Sequence, residues 1–550
     1  MRSAIALLTL LAMGLHTPRT SAQSTGSLQQ RMDALMSEEF PSDGPGATVL
    51  VAHKNEIIYR KAYGLANVEL QTPMQPEHVF RLGSITKQFT AVAILMLEAE
   101  GKLSVADDLT KYLPDYPTQG ESITIEHLLT HTSGIHNHTD DADFLDLART
   151  DHTVQELIDL FKDKPLDFKP GEQWNYSNSG YILLGAIIEK VSGMPYADFI
   201  EQRIFQPLEM SHSFYDRTEA IIPNRIPGYA PGQEGIVNAP YLSMTIPYAA
   251  GSLMSTVDDL YRWNRALQNG QLVGRERLKK AHSSFALNSG EETGYGYGWA
   301  VSKVQGSKSI EHGGGIFGFL TNGIYLPGED IYVIVLSNCT CHPPNAVSLQ
   351  LAALALGKPY GGDGYEPDPA SLSDYIGVYE IAPGDERKIT LEDGQLYSVR
   401  SGGMKTLLTP TGPDAFYFEN SFTDLLFQRD PEGVVTGAVS TTRDGKATDS
   451  RRTSTEVQER QHIQLDRATL ERYLGEYELQ PGFTIRIFLE GDQLRAQATN
   501  QPAFDLFASS PTRFFLTVVD AEIEFTVENG QTTSLTLFQG GAALPGKKIR

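Results

Sequence analysis

The sequence predicts an α+β domain, helices packed with an antiparallel sheet, followed by two small all-β barrels. Three observations predict it. Helical and strand patterns interleave from Ala47 to about Ala355, with strands at both ends, as in a layered α+β domain. Composition then shifts at Gly357-Lys358-Pro359-Tyr360-Gly361-Gly362-Asp363-Gly364, a linker signal. Beyond it helical periodicity disappears and an internal repeat takes its place. A chain of 550 residues with 40% hydrophobic and 9% aromatic side chains can fill several cores, which excludes wholesale disorder.

The first element is a leader. Arg2 precedes an apolar run from Ala4 to Met13, too short to span a membrane, and Ser21 and Ala22 then precede Gln23. This is the pattern of a secretory signal peptide over residues 1–22, with cleavage after Ala22 and a secreted or periplasmic product. No cysteine lies near that point, which excludes a lipoprotein anchor. No later run reaches about 18 apolar residues, so no integral membrane anchor is expected.

The α+β domain is expected over residues 23–357. Residues 48–52 and 56–60 read as two strands joined by a turn at His53-Lys54-Asn55. Residues 84–100 read as a helix, with Phe89, Val92, Leu95 and Met96 as its apolar stripe and Gly101 as its stop. Residues 181–191 form a second helical run, and the apolar, β-branched run 331–336 is a buried strand.

After a linker at 358–368, the repeat defines two copies, 369–458 and 459–550. Tyr375-Ile376-Gly377-Val378-Tyr379-Glu380 recurs as Tyr473-Leu474-Gly475-Glu476-Tyr477-Glu478, Phe416 recurs as Phe514 and Phe427 as Phe525, all at one 98-residue offset, as from position 375 to 473. Asp393-Gly394, Asp444-Gly445 and Asn529-Gly530 are tight hairpin turns. Short antiparallel strands at this density make a small closed barrel or sandwich, and the expected form is a lipocalin-like barrel.

Charge narrows the partners. With 45 basic and 68 acidic side chains the net charge is −23, which argues against nucleic acid or an anionic membrane and reads as solubility. The only cysteines, Cys339 and Cys341, sit one residue apart. A bridge at that spacing strains disulfide geometry, so none is expected and the pair reads as small apolar residues ending a strand.

The chemistry starts at Arg81-Leu82-Gly83-Ser84-Ile85-Thr86-Lys87. If Ser84 opens the helix, Lys87 lies one turn on along the same face, placing an amine beside a hydroxyl that an adjacent base can activate. Trp174-Asn175-Tyr176-Ser177-Asn178 offers a phenol and an amide two positions apart; a nearby cationic lysine favours phenolate. Glu311-His312-Gly313-Gly314-Gly315 brings glycines that let a substrate lie against the backbone, and a free N–H for an oxyanion.

These elements, in this order, resemble the serine β-lactamase and penicillin-binding protein superfamily: Ser84-x-x-Lys87, Tyr176-Ser177-Asn178 and His312-Gly313-Gly314. The tyrosine of the second element resembles the branch holding class C β-lactamases, D-alanyl-D-alanine carboxypeptidases, D-aminopeptidases and esterases. His127-Leu128-Leu129-Thr130-His131-Thr132-Ser133-Gly134 and Pro207-Leu208-Glu209-Met210 are similar to that branch too, and a catalytic domain followed by two barrels resembles D-aminopeptidase architecture. The resemblance implies a β-lactamase-like fold and an acyl-enzyme mechanism without cofactor or metal. Ser84 is implied as nucleophile and Lys87 with Tyr176 as the proton-transfer pair. The N–H groups of Ser84 and Gly315 are implied as the oxyanion hole beside Gly314. Asn178 is implied to position substrate and His312 to polarise the site from the opposite strand.

His312 is also the departure, because β-lactamases and carboxypeptidases carry a lysine there to hold a substrate carboxylate. A histidine, largely neutral near pH 7, holds one less well. The implied function is therefore an exported peptidase or amidase on small D-amino-acid-containing peptides, D-aminopeptidase-like. A carboxylesterase or weak β-lactamase on the same site is one alternative, and a non-hydrolytic penicillin- or peptidoglycan-binding sensor is the other. The partner is a small molecule or short peptide.

Three further signals compete. His127, His131, His136 and His138, followed by Asp140 and Asp141, raise a metal reading, but no His-Glu-x-x-His motif supports it. Thr293-Gly294-Tyr295-Gly296-Tyr297-Gly298-Trp299 is not a nucleotide fingerprint and reads as a mobile loop or strand edge near the site. No Gly-x-Ser-x-Gly elbow occurs, which excludes the α/β-hydrolase arrangement.

Overall fold

The computed structural model describes residues 26–550 except 233–234, 363, 419–420, 459 and 500. The expected signal peptide, 1–22, lies outside the described residues. The chain divides into two compact units, one ending at Pro359 and one starting at Tyr360.

The first unit is built on a six-stranded antiparallel sheet. Its strands are β1 (Ala47–His53), β2 (Glu56–Tyr63), β3 (Ala300–Val304), β4 (Ser307–Ile316), β5 (Phe319–Leu326) and β6 (Ile331–Ser337), in the order β3-β4-β5-β6-β1-β2. The N-terminal hairpin thus docks beside the last strand, with Val49 opposite Val335 and Leu50 opposite Ile334. Every residue of β6 is buried, which requires cover on both faces and explains its unbroken apolar sequence. The helices of this unit include α1 (Leu28–Glu39), α2 (Thr86–Ala99), α3 (Asn178–Ser192), α4 (Val257–Gln268) and α5 (Asn345–Ala355). α4 packs on β1 and β6, and α1 packs against α5.

α2 is the central helix. All its residues from Thr86 to Leu97 are buried, so it is enclosed on every side, and Phe89 stacks on Trp263 of α4 at 4.0 Å. Each such large apolar side chain contributes about 1.5–3 kcal/mol by leaving water. Lys87 lies within that buried run, so the core that stabilises the helix also desolvates its one amine. α3 opens with the Ser177 hydroxyl accepting the Gly180 N–H at 3.3 Å and ends at Gly193, whose φ is +72°.

The disulfide expectation is overturned: Cys339 and Cys341 are bonded, with Cα atoms 5.1 Å apart. The chain leaves β6 in a tight turn, and that separation lies within the range a bridge spans.

The second unit holds the repeats. Eight strands from Gly377–Ala382 to Ala447–Ser454 close a barrel. Nine strands, from Gly475–Gln480 to Ala542–Lys548, make the second copy. The difference lies in one strand: β7 (Thr406–Gly412) of the first copy is continuous, whereas its counterpart is split into β8 (Ala503–Asp505) and β9 (Phe507–Ala508) with only Leu506 between. β8 and β9 are the two ends of the nine-stranded sheet, so chain continuity closes the second barrel.

The repeated aromatics do the same work in each copy. The Tyr379 hydroxyl donates to the Tyr375 carbonyl at 2.8 Å, and Tyr477 to Tyr473 at 2.7 Å. Phe416 and Phe427 meet at 5.5 Å between ring centres, as do Phe514 and Phe525. The barrels are stitched together, Lys405 N–H donating to the Val518 carbonyl and Asp520 N–H to that of Gly403, both at 2.9 Å.

Candidate active site

Ser84 stands in a single tight helical turn, Gly83–Ile85, immediately before α2. The helix itself starts two residues later than the sequence pattern suggests, because Gly83 adopts φ +54° and turns the chain from Leu82 into α2. The predicted one-turn spacing is kept, and Lys87 Nζ lies 3.1 Å from Ser84 Oγ.

Lys87 is fixed by two further partners, Asn178 Oδ1 at 2.8 Å and the Ala250 carbonyl at 2.9 Å. Both can only accept. A neutral amine satisfies them with its two N–H bonds and leaves its lone pair to the Ser84 hydroxyl. Burial alone drives the amine's pKa well below the ordinary lysine value, toward that neutral form.

Asn178, first residue of α3, is held in turn. Its Nδ2 donates to Thr139 Oγ1 at 3.1 Å, and its backbone N–H donates to Asn137 Oδ1 at 3.0 Å. Asn178 thus positions Lys87, and Asn137 and Thr139 are site residues that sequence reasoning missed. They sit at a single tight helical turn, His138–Asp140, in a segment whose signal in the sequence was its string of polar residues.

Tyr176 lies just before α3, its ring centre 4.7 Å from Lys87 Nζ. Burial works against the phenolate expected beside a cationic lysine. Burial raises the Tyr176 pKa well above the ordinary phenol range, and a weak contact with Ser84 opposes this without overcoming it. The same burial pushes Lys87 toward its neutral form and so weakens the cation that phenolate needs.

In the sequence His131 is only part of a motif and a histidine cluster, yet it packs on the site. Its ring centre is 4.3 Å from that of Tyr176 and 4.8 Å from that of Tyr295, and its Nδ1 accepts the Ser177 N–H at 3.1 Å. Burial first, then the nearness of the basic Lys87 and His312 side chains, pushes its pKa well below the usual histidine value. The other three histidines of the cluster face elsewhere. His127 Nδ1 accepts from Thr124 N–H, His136 bridges Asp141 and Asp167, and His138 meets Ser179 Oγ at 3.0 Å. Among the described residues no group of three or more metal-ligating side chains is arranged around one point.

His312 comes from β4, opposite α2. Its Nδ1 is 2.5 Å from the Gly313 carbonyl and its Nε2 is 2.8 Å from the Tyr295 hydroxyl. Burial above all lowers its pKa to about 4, and the nearby Lys87 amine disfavours a second positive charge, so the neutral ring is favoured. The segment around Tyr295, expected as a mobile loop or a strand edge near the site, lies at the sheet edge, where Tyr295 forms an antiparallel bridge with Ala300, the first residue of edge strand β3. Tyr295, Tyr297 and Trp299 are buried, and Gly296 N–H donates to the Trp299 carbonyl at 2.8 Å and Tyr297 N–H to that of Ala281 at 3.0 Å.

The glycines of β4 dock it on the serine turn. A Cβ on Gly314 would lie 2.0 Å from the Leu82 carbonyl oxygen, so only glycine fits. The Gly83 and Gly315 backbones abut, a Cβ on Gly83 coming within 3.0 Å of Gly315 N. β3 reaches only to Glu311, so residues 312–316 of β4 pair with β5 alone. The structure therefore brings Ser84, Lys87, Tyr176, Asn178, His312, Gly314 and Gly315 to one place.

No described helix is long and apolar enough to cross a membrane. A family model described as Beta-lactamase matches residues 28–357, and one described as Domain of unknown function (DUF3471) matches residues 459–547. Penicillin-binding protein 4* of Bacillus subtilis (strain 168) is 33% identical over 402 residues, 67% of this chain and 87% of that protein. The octameric penicillin-binding protein homologue from Pyrococcus abyssi superposes with a TM-score of 0.54 at 26% identity, covering 77% of this chain and 99% of that one. A D-stereospecific amidohydrolase from Streptomyces sp. superposes with a TM-score of 0.52 at 27% identity, covering 62% of this chain and 99% of that one. Fold, site and sequence agree: the chain belongs to the Beta-lactamase family of serine hydrolases.

Proposed function

We infer that this chain is an exported hydrolase that works through an acyl-enzyme on Ser84 and acts on small amides and peptides of D-amino acids. The observation that carries the chemistry is the setting of Lys87 Nζ, 3.1 Å from Ser84 Oγ with its other two contacts to acceptors. Lys87 takes the Ser84 proton as Oγ attacks the substrate carbonyl, and the Ser84 and Gly315 N–H groups receive the oxyanion. Tyr176, protonated at neutral pH, gives its proton to the leaving amine and regains one from Lys87. Water then attacks the acyl-enzyme along the same path in reverse, releasing the acid and restoring Ser84.

Substrate class rests on two supports. His312 is neutral and carries no charge for a substrate carboxylate, which favours amides over free C-terminal acids. The D-stereospecific amidohydrolase is a structural relative, and its chemistry fits the site. Export rests on the leader at residues 1–22 and predicts mature protein beginning at Gln23.

The test is a panel of D-alanyl anilide, its L enantiomer, a D-Ala-D-Ala peptide, a nitrophenyl ester and nitrocefin, with Ser84→Ala alongside. The expected result is steady turnover of the D-amide and loss of both turnover and fluorophosphonate labelling in Ser84→Ala. Labelling that survives in Ser84→Ala, or acylation that stops at one equivalent with every substrate, overturns the reading.

A further inference from the structure

One buried side chain that contacts the site has no part in the proton path: Tyr295. Its hydroxyl lies 2.8 Å from His312 Nε2, and on the other side of the imidazole Nδ1 lies 2.5 Å from the Gly313 carbonyl. A carbonyl oxygen can only accept, so Nδ1 carries the hydrogen. In a neutral ring Nε2 then holds a lone pair, and the Tyr295 O–H donates to it. Neither nitrogen is left for a substrate.

The neutral form follows from what surrounds the ring. Lys87 on α2, His131, Tyr176 just before α3 and Tyr295 face His312, and no carboxylate is among them. A proton on Nε2 would lose the Tyr295 O–H as donor and would sit unpaired by any anion. Tyr295 itself cannot easily swing away. Its segment is pinned to the catalytic helix, where a Cβ on Gly298 would lie 2.8 Å from the Lys87 carbonyl, and the Phe285 N–H donates to the Tyr295 carbonyl at 2.9 Å.

We propose that Tyr295 is a positioning residue that locks His312 as the neutral Nδ1–H tautomer and thereby makes the site discriminate against substrates with a carboxylate beside the scissile bond. The kinetic part rests on the amidase reading above; the tautomer part does not. Removing the hydroxyl in Tyr295→Phe leaves Nε2 unpartnered, so the ring can take up a proton and offer Nε2–H to a carboxylate.

The first measurement needs no substrate. Imidazole nitrogen shifts of His312 in the full chain, assigned by their loss in His312→Gln, are expected to report Nδ1–H at neutral pH with no titration near the ordinary histidine pKa. An Nε2–H tautomer, or titration at the ordinary value, overturns the proposal whatever the enzyme hydrolyses. The second uses Tyr295→Phe with an N-acyl-D-Ala-D-Ala peptide and its C-terminal amide. The ratio of kcat/KM, amide over acid, is expected to fall about tenfold on mild acidification in the variant, mainly through KM for the acid, while the wild-type ratio holds. An unchanged ratio in a variant whose His312 shifts have moved overturns the selectivity claim.

Discussion

Lys87 Nζ and Asn178 Oδ1 lie 2.8 Å apart, although 91 residues separate them in the chain. The contact joins the start of α2 to the start of α3 and fixes where the amine's hydrogens point. The neutral amide oxygen accepts from Lys87 without adding a negative charge, so burial still decides the amine's protonation state.

Asn178→Asp changes that balance. A carboxylate in contact favours the ammonium form, which raises the Lys87 pKa and removes the base at neutral pH. The acid limb of the kcat/KM profile is expected to move up by about one pH unit or more, with lower activity at neutral pH and recovery in alkali. An unmoved acid limb would take Lys87 out of the role of base.

The glycines of β4 are not equivalent. Gly314→Ala puts a Cβ 2.0 Å from the Leu82 carbonyl, so the strand must part from the serine turn, whereas at Gly313 nothing lies closer than 3.5 Å. The expected cost at Gly314 is about 1–3 kcal/mol of stability together with a fall of about a hundredfold in kcat/KM. Gly313→Ala loses much less of both. Melting curves and steady-state kinetics on the two variants check the contrast.

Stability is expected to fall in mild acid. Burial lowers His138 and His312 to about 4 and His282 to about 3, so the folded unit keeps them neutral while the unfolded chain protonates below about 6.5. The unfolded state then binds more protons, and stability drops as pH falls from about 6.5 toward 4. Each such histidine contributes about 1.4 kcal/mol per pH unit within that window. Urea unfolding across the window measures the slope, and His282→Gln is expected to reduce it by one histidine's share.

The Cys339–Cys341 bridge closes a very short loop, so its effect on the unfolded chain is small. Reduction, or Cys341→Ser, is expected to cost about 1–2 kcal/mol and to leave activity in place. Mass spectrometry after alkylation should find no modified cysteine before reduction and both modified after it.

Much of this protein is local information. The serine–lysine spacing needs only one helical turn, and Lys87 Nζ does reach Ser84 Oγ. The repeated Tyr, Phe and Gly positions state the duplication outright, because each copy rebuilds the same aromatic contacts. The continuous apolar run of β6 announces a strand buried on both faces.

What the sequence could not state depends on which distant segments meet. His131, at φ +59° after a short helix, and Tyr295, in a glycine-rich turn, follow no periodicity, yet they pack 4.8 Å apart against Tyr176 and His312. The bridge between adjacent-but-one cysteines depended on a turn that only the docked end of β6 creates. Most of all, the charge state of the site came from burial. From sequence, a lysine beside a tyrosine suggests ammonium and phenolate; enclosed on every side, both are pushed toward their neutral forms, because the desolvation acting on them is supplied by the whole fold and not by the residues next to them in the chain.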